Sequence, residues 1–98
     1  MWFCSNPNPF SDRTFFTFIL TGSDQPDDIR LKLYTVAGRF IREILISQSE
    51  LRRGFNRVEW DGRDQEGDEI ANGIYFYKIL MKTSGGTFEE VHKLTRIR

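Results

Sequence analysis

Short runs in which apolar and polar residues alternate limit the fold of this chain more than any other feature. In residues 14–20, Phe16, Phe18 and Leu20 fall on one side of an extended chain, and residues 29–34 repeat the pattern. A repeat of two residues is typical of a β-strand that buries one face, because successive side chains point to opposite sides. Similar runs cover residues 55–60, 75–82 and 87–97. Because Gly, Pro, Asn and Asp separate the runs, the pattern predicts an all-β, antiparallel β-sandwich of about six to seven strands.

The alternation also predicts which side chains form the core. In each run, the face with the larger apolar residues is expected to point inward, since a shift of one residue would expose all of them. Gly85 and Gly86 are expected to form the hairpin turn between the last two strands. The predicted core residues are Phe16, Phe18, Leu31, Leu33, Val58, Trp60 and Tyr75.

Residues 40–53 fit two structures. The alternation over residues 40–46 favours a third strand, whereas the spacing of four apolar residues also fits one face of a helix: Ile41, Ile44, Leu45 and Leu51. We predict the strand, followed by a loop or a short helical turn.

Size and charge exclude several classes of function. The 98 residues make one small domain, and the 14 basic and 14 acidic residues leave it without net charge. Nucleic-acid-binding domains are usually basic, so we expect no nucleic-acid partner. The longest apolar runs are far shorter than the ~20 residues of a membrane span. We expect the isolated domain to be monomeric.

The chain offers little catalytic chemistry. His92 is the only histidine, and no Cys, Ser or Asp lies at motif spacing from it. We expect it on the solvated face of a strand. Cys4 is the only cysteine and cannot form an internal disulfide. The pattern therefore predicts a binding or structural domain that is not an enzyme and uses no cofactor.

An acidic loop follows Trp60 and invites comparison with a calcium site. A calcium loop of the helix-loop-helix type needs oxygen ligands at positions 1, 3, 5 and 12 and a Gly at position 6. Starting the count at Asp61 or at Asp64 puts Glu66 or Glu69 at position 6, so neither register fits. We favour a solvated turn without a metal. The alternative is a weak, irregular calcium site formed by Asp61, Asp64, Glu66 and Asp68.

Several short motifs occur in a characteristic order along the chain. They are Asn8-Pro9-Phe10, Leu33–Arg39 with Gly38, Trp60-Asp61-Gly62, Gly73-Ile74-Tyr75 and Lys93-Leu94. Their order and spacing resemble the immunoglobulin-like C-terminal domains of the flagellar hook-cap FlgD type. They resemble especially the C-terminal sorting domains of type IX secretion cargo in Bacteroidetes. The motif residues Asn8, Pro9, Phe10, Gly38, Trp60, Asp61, Gly62, Gly73 and Tyr75 are expected to have structural roles. Thr35 stands where many relatives carry Asp, so the resemblance is weaker at that turn.

The resemblance implies a single immunoglobulin-like C-terminal domain over residues 1–98, with residues 1–9 as a leader or linker. Such a domain belongs to a longer exported protein, and outer-membrane secretion machinery recognises it in the periplasm on the way to the cell surface. The first residues lack the basic start and apolar stretch of a signal peptide, so upstream sequence would carry the export signal. The surface sortase of the same pathway has a similar C-terminus, so the parent is either cargo or sortase. The alternative is a structural module of a surface, appendage or sortase protein.

The last six residues align with the basic and apolar terminal block of those sorting domains. As an edge strand, they would leave backbone groups unpaired, and a secretion component could add a strand there. The alternative is that the strand only completes the sandwich, with its cations keeping the edge soluble. The candidate recognition residues are Lys93, Leu94, Arg96 and Arg98.

Overall fold

The computed structural model describes residues 2–20, 26–83 and 85–98, and at residues 2 and 3 the backbone alone. The polar segment over residues 22–28, which the sequence predicts to be a loop, lies mostly outside these ranges. Among the described residues, no helix is long and apolar enough to cross a membrane.

The described part of the chain contains seven antiparallel strands, in agreement with the six to seven that the alternation predicts. They form a three-stranded sheet in the order β1-β2-β5 and a four-stranded sheet in the order β4-β3-β6-β7. The two sheets form a β-sandwich. The strands are β1 (Trp2–Asn6), β2 (Thr14–Leu20), β3 (Asp28–Thr35), β4 (Phe40–Ser47), β5 (Gly54–Trp60), β6 (Gly73–Thr83) and β7 (Gly86–Arg96).

Strand β1 differs from the sequence-based expectation, which assigned residues 1–9 to a leader. Trp2–Asn6 instead pairs with β2 along its length, with Phe3 opposite Phe18 and Ser5 opposite Phe16. Five residues are too few to show a clear alternation, so only the pairing with β2 reveals this strand.

The segment over residues 40–53 has the predicted strand followed by a short helical turn. Phe40–Ser47 is the predicted strand, and Gln48–Glu50 adds one 3₁₀ turn. A bulge between Leu33 and Tyr34 shifts the register of the β3–β4 pair. The strand is favoured because its inward residue Ile46 lies opposite Ile29 in the core.

The core lies between the two sheets. Six of the seven predicted core residues are buried, and Val58 is partly buried against them. An aromatic cluster joins the sheets: the Phe16 ring lies 4.9 Å from Tyr77 and 6.3 Å from Trp60, centroid to centroid. Phe10 adds a ring 5.5 Å from Trp60. The buried residues that the alternation did not single out include Phe10, Ile46, Leu51, Tyr77, Ile79 and Leu94.

Replacement of Phe16 with Ala should lower the free energy of unfolding by ~3–5 kcal/mol, because it leaves a cavity between the two sheets. Chemical denaturation measures this loss. Phe55 is the matched control, since its side chain lies on the outer face of the same sheet and is 59% exposed. Phe55→Ala should change the stability by less than about 0.5 kcal/mol. Equal effects of the two substitutions would contradict the assigned inner and outer faces.

Candidate functional site

The candidate recognition block lies at the end of β7, which is an edge strand of the four-stranded sheet. The N-terminal segment runs along this edge. Asn8 donates its side-chain N–H to the carbonyl of Lys93 (3.1 Å) and accepts the N–H of Thr95 (3.0 Å). Phe10 donates its N–H to the carbonyl of Thr95 (3.0 Å) and accepts the N–H of Ile97 (2.9 Å). Asn8 and Phe10 therefore take the place of a neighbouring strand over residues 93–97.

The prediction that this end of β7 presents unpaired backbone groups is therefore wrong for residues 93–97. Segments distant in sequence meet here, and the sequence alone does not show that residues 8–10 return to the edge. The aromatic ring of Phe10, buried against Trp60, holds the returning segment in place.

Arg96 and Leu94 are not available on the surface of the folded domain. Arg96 is 2% exposed and Leu94 is 0% exposed. The Arg96 guanidinium donates from Nε to the carbonyl of Ser11 (2.8 Å) and from Nη1 to the carbonyl of Ile70. The expectation that Arg96 is a rim cation is wrong, because its side chain points into the sandwich and ties three segments together.

Lys93 and Arg98 are the two predicted recognition residues that remain exposed. The Arg98 guanidinium contacts the carboxylate of Glu69 at 2.6 Å and that of Asp12 at 3.7 Å. The hydrogen bond and charge of Arg98 lower the pKa of Glu69. Arg98 thus already has partners within the chain, while Lys93 lies on the outer face of β7.

The other half of β7 is open. The bonds from residues 8–10 show that Lys93, Thr95 and Ile97 direct their backbone groups away from β6. The backbone N–H and C=O groups of successive residues point to opposite sides of a strand. Those of Thr87, Glu89 and Val91 therefore also point away from β6. In the described part of the chain, no strand lies beyond β7 on this side. This open edge, residues 87–91, lies N-terminal to the block over residues 93–98 at which the sequence analysis expected unpaired backbone groups.

The motif residues around Trp60 make structural contacts. Trp60 donates its indole N–H to the carbonyl of Arg63 (3.0 Å), and Asp61 accepts a hydrogen bond from Arg42 (3.0 Å). Gly62 has a φ of 75°, and a Cβ there would lie 3.0 Å from the carbonyl oxygen of Asp12. Only a glycine allows this close approach of two backbone segments.

The remaining motif residues lie at turns and strand ends. Gly38 donates its N–H to the carbonyl of Thr35 (2.9 Å), and the hydroxyl of Thr35 accepts the N–H of Arg39 (3.0 Å). The Tyr75 hydroxyl donates to the carbonyl of Ala71 (2.6 Å), and Gly73 begins β6. Pro9 is exposed between the two residues that bind β7.

The acidic loop forms a hydrogen-bonded turn centred on Asp64. Its carboxylate accepts the backbone N–H groups of Glu66 (3.0 Å) and Asp68 (2.9 Å). The carboxylates of these three residues lie within 4.8 Å of one another. Asp61, the fourth ligand of the alternative calcium site, instead forms an ion pair with Arg42 (3.0 Å).

His92 lies on the inner side of β7 rather than on a solvated face, so that expectation is wrong. Its ring stacks on Tyr77 with a centroid distance of 5.3 Å, and its Nε2 contacts the carboxylate of Glu90. Burial raises the pKa of Tyr77 to about 12. Cys4 lies 3.1 Å from the hydroxyl of Thr17. Both candidate nucleophile or base residues are thus engaged in packing and hydrogen bonding.

Comparison with known proteins finds no matching protein family and no matching curated protein. Solved structures do match. This chain is similar to latent PorU from Porphyromonas gingivalis, with a TM-score of 0.76 and 22% identity, over 97% of this chain and 9% of PorU. It is also similar to PorZ, a surface component of the type IX secretion system of the same organism, with a TM-score of 0.58 and 16% identity, over 98% of this chain and 11% of PorZ.

A third similar structure is FlgD from P. aeruginosa, with a TM-score of 0.65 and 21% identity. That match covers 86% of this chain and 61% of FlgD. At these identities the similarity establishes the fold. The chain spans only about a tenth of PorU and of PorZ, and less than two thirds of FlgD.

Replacement of Arg96 with Leu should destabilise the domain, because the carbonyl groups of Ser11 and Ile70 lose the charged donor that this buried side chain supplies. Such hydrogen bonds contribute ~1.5–3 kcal/mol each, so we expect a loss above ~2 kcal/mol. Chemical denaturation measures it. The matched control is Arg98→Leu, which removes an exposed cation from the same strand end and should shift the denaturation midpoint far less. A midpoint unchanged in Arg96→Leu would contradict the structural role of Arg96.

Calcium should not alter the stability of the domain, because the Asp64 carboxylate already accepts two backbone N–H groups that close the turn. Thermal melts in calcium and in chelator should coincide. A calcium-dependent rise in melting temperature that Asp68→Asn abolishes would show instead that the loop is a metal site.

Proposed function

We propose that this chain is a non-catalytic sorting and docking domain that directs a longer protein through type IX secretion to the cell surface. The observation that carries the proposal is the coverage of the structural matches. Almost the whole chain corresponds to about a tenth of PorZ, a surface component of that system, and to a similar fraction of PorU. A small domain that recurs within larger proteins of this kind fits a targeting role, and the order of the sequence motifs agrees with it.

The open edge of β7 is the proposed contact site for the outer-membrane secretion machinery. Thr87, Glu89 and Val91 offer backbone N–H and C=O groups to an extended segment of the partner, which would add a fifth strand to the sheet. Backbone pairing supplies affinity in this mode of recognition, and side chains of the neighbouring strands supply specificity. Lys93 lies where the open edge ends and contributes a positive charge there.

The domain is proposed to have no catalytic activity of its own and to require no cofactor. His92 packs against Tyr77 and contacts Glu90, and Cys4 contacts Thr17. In the proposed pathway, the domain passes through the periplasm attached to its parent protein before the parent reaches the surface.

The alternative function is a structural immunoglobulin-like module of a surface or appendage protein. The similarity to FlgD favours it, since the matched region makes up 61% of that protein. A purely structural module would not need an open strand edge or a secretion partner.

The proposal predicts that the domain directs a fused reporter to the cell surface. A fluorescent protein with a signal peptide, fused ahead of residues 1–98, should reach the surface of a bacterium with type IX secretion. The same reporter without the domain should stay in the periplasm. Equal localisation of the two fusions would favour the structural alternative.

The role of the open edge is tested in the same assay with Val91→Pro. Proline removes the outward N–H of Val91 without removing a bond to β6, so the domain should stay folded while a partner strand can no longer pair there. The fusion should then accumulate in the periplasm, whereas the control Val91→Ala is exported. Normal export of a folded Val91→Pro fusion would contradict strand addition. If Val91→Pro unfolds, Glu89→Pro makes the same test.

A further inference from the structure

A groove lies beside β4, at the end of the sandwich where β3 turns into β4. It has a volume of about 550 Å³, within the range of small-ligand and peptide pockets. Its lining comes from β3, β4, β6, the β3–β4 turn and the segment over residues 64–71, and does not include the open edge of β7. The groove is therefore separate from the docking site proposed above.

The groove has apolar walls. Phe40, Ile41, Ile70 and Tyr75 line it. Phe40 is 47% exposed, although its ring also contacts Tyr34 at a centroid distance of 5.8 Å. A large aromatic ring left half in solvent beside a groove is a feature of interaction sites.

Hydrogen bonds hold both walls in place. The loop wall is attached to the edge of β4, because Gln65 donates its N–H to the carbonyl of Ile41 (2.9 Å). The side-chain oxygen of Gln65 accepts the N–H of Glu43 (3.1 Å). The hydroxyl of Tyr75 fixes Ala71 on the other wall (2.6 Å). A groove formed in advance binds a ligand without the entropic cost of ordering its walls.

The rim of the groove is acidic. Asp64, Glu66 and Glu69 line it, and Arg39 is the one cation among the lining residues. Asp64 and Glu66, with Asp68 beside them, have no ion pair within 4.0 Å to any cation in the described ranges. Like charges held close together favour a cationic ligand.

The chain itself shows what kind of segment this rim accepts. Arg98 binds Glu69 through its guanidinium (2.6 Å) and donates its backbone N–H to the side chain of Asn72 (3.1 Å). The preceding residue, Ile97, is exposed. An arginine next to an aliphatic residue thus already pairs with Glu69, one of the carboxylates that line the groove.

From this geometry we propose that the groove binds an extended peptide of a partner protein in which Lys or Arg stands next to a bulky apolar residue. The apolar side chain packs on Phe40 and Ile70, and the cation pairs with Glu66 and Asp64. The unpaired carboxylates select the charge of the ligand, and the volume of the groove limits it to a few side chains. This interaction goes beyond the proposed secretion role and does not depend on it.

A fluorescently labelled hexapeptide with the sequence of residues 93–98, KLTRIR, serves as the probe because it combines cations with Leu and Ile. Fluorescence anisotropy with the 98-residue domain should show saturable binding that weakens as salt rises. Glu66→Lys and Phe40→Ala should each weaken binding about tenfold or more, because they change the charge and the apolar wall, respectively. The matched control, Glu59→Lys, makes the same charge change on the exposed face of β5 and should leave the affinity within about twofold.

Three results would overturn the proposal. They are no saturable binding at 1 mM peptide as an approximate upper limit, an equal loss of binding in Glu59→Lys, and displacement of the peptide by calcium with a rise in melting temperature. The last result would assign the rim to a metal ion instead. If Phe40→Ala is misfolded by circular dichroism, Glu66→Lys decides the test. Val91→Pro should bind the peptide normally, so failure of the groove and failure of the secretion role are told apart.

Discussion

The pairing of Asn8 and Phe10 with the edge of β7 is the interaction on which the rest of the structure depends. It joins the N-terminal segment, which leads into the three-stranded sheet, to the last strand of the four-stranded sheet. Phe10 enters the core against Trp60, and Arg96 reaches the carbonyl of Ser11 from β7.

The same contact explains why a glycine follows the Trp60 strand. Gly62 packs against the ring of Phe10 and the backbone of Asp12, where a Cβ would lie 3.3 Å and 3.0 Å away. The motifs at residues 8–10 and 60–62, which are distant in sequence, therefore meet at one place. The motif at residues 60–62 needs its glycine because the segment that contains Phe10 lies against it, and that segment can lie there only because residue 62 has no side chain.

Residues 8–10 cover only the C-terminal half of β7, so the two halves of this strand differ in their role. The C-terminal half closes the sandwich, and the N-terminal half keeps its backbone groups available for a partner. The acidic groove lies beside the opposite edge strand, β4, so the two proposed contact surfaces differ in chemistry: one presents backbone groups, and the other presents apolar walls and carboxylates. Because the two surfaces lie on different edges, binding at one does not block the other.

The sequence by itself determined the strands from β2 to β7 and which face of most of them points inward. An alternation of two residues leaves no choice of face once one side is apolar, and it assigned Phe16, Leu33 and Trp60 to the core correctly. The turn at Asp64 was likewise predictable, because Asp side chains accept hydrogen bonds from nearby backbone N–H groups and Gly residues adopt the positive φ that turns need.

Only the tertiary structure decided what each face and edge meets. The pattern could not show that Arg96 points into the sandwich, because the carbonyl groups that satisfy it belong to residues 11 and 70. It could not identify β1 as a strand, since five residues gain stability only from pairing with β2. Nor could it show that residues 8–10 cover the end of β7. Alternation records the local geometry of a strand, whereas edges and grooves arise from contacts between segments that lie far apart in the chain.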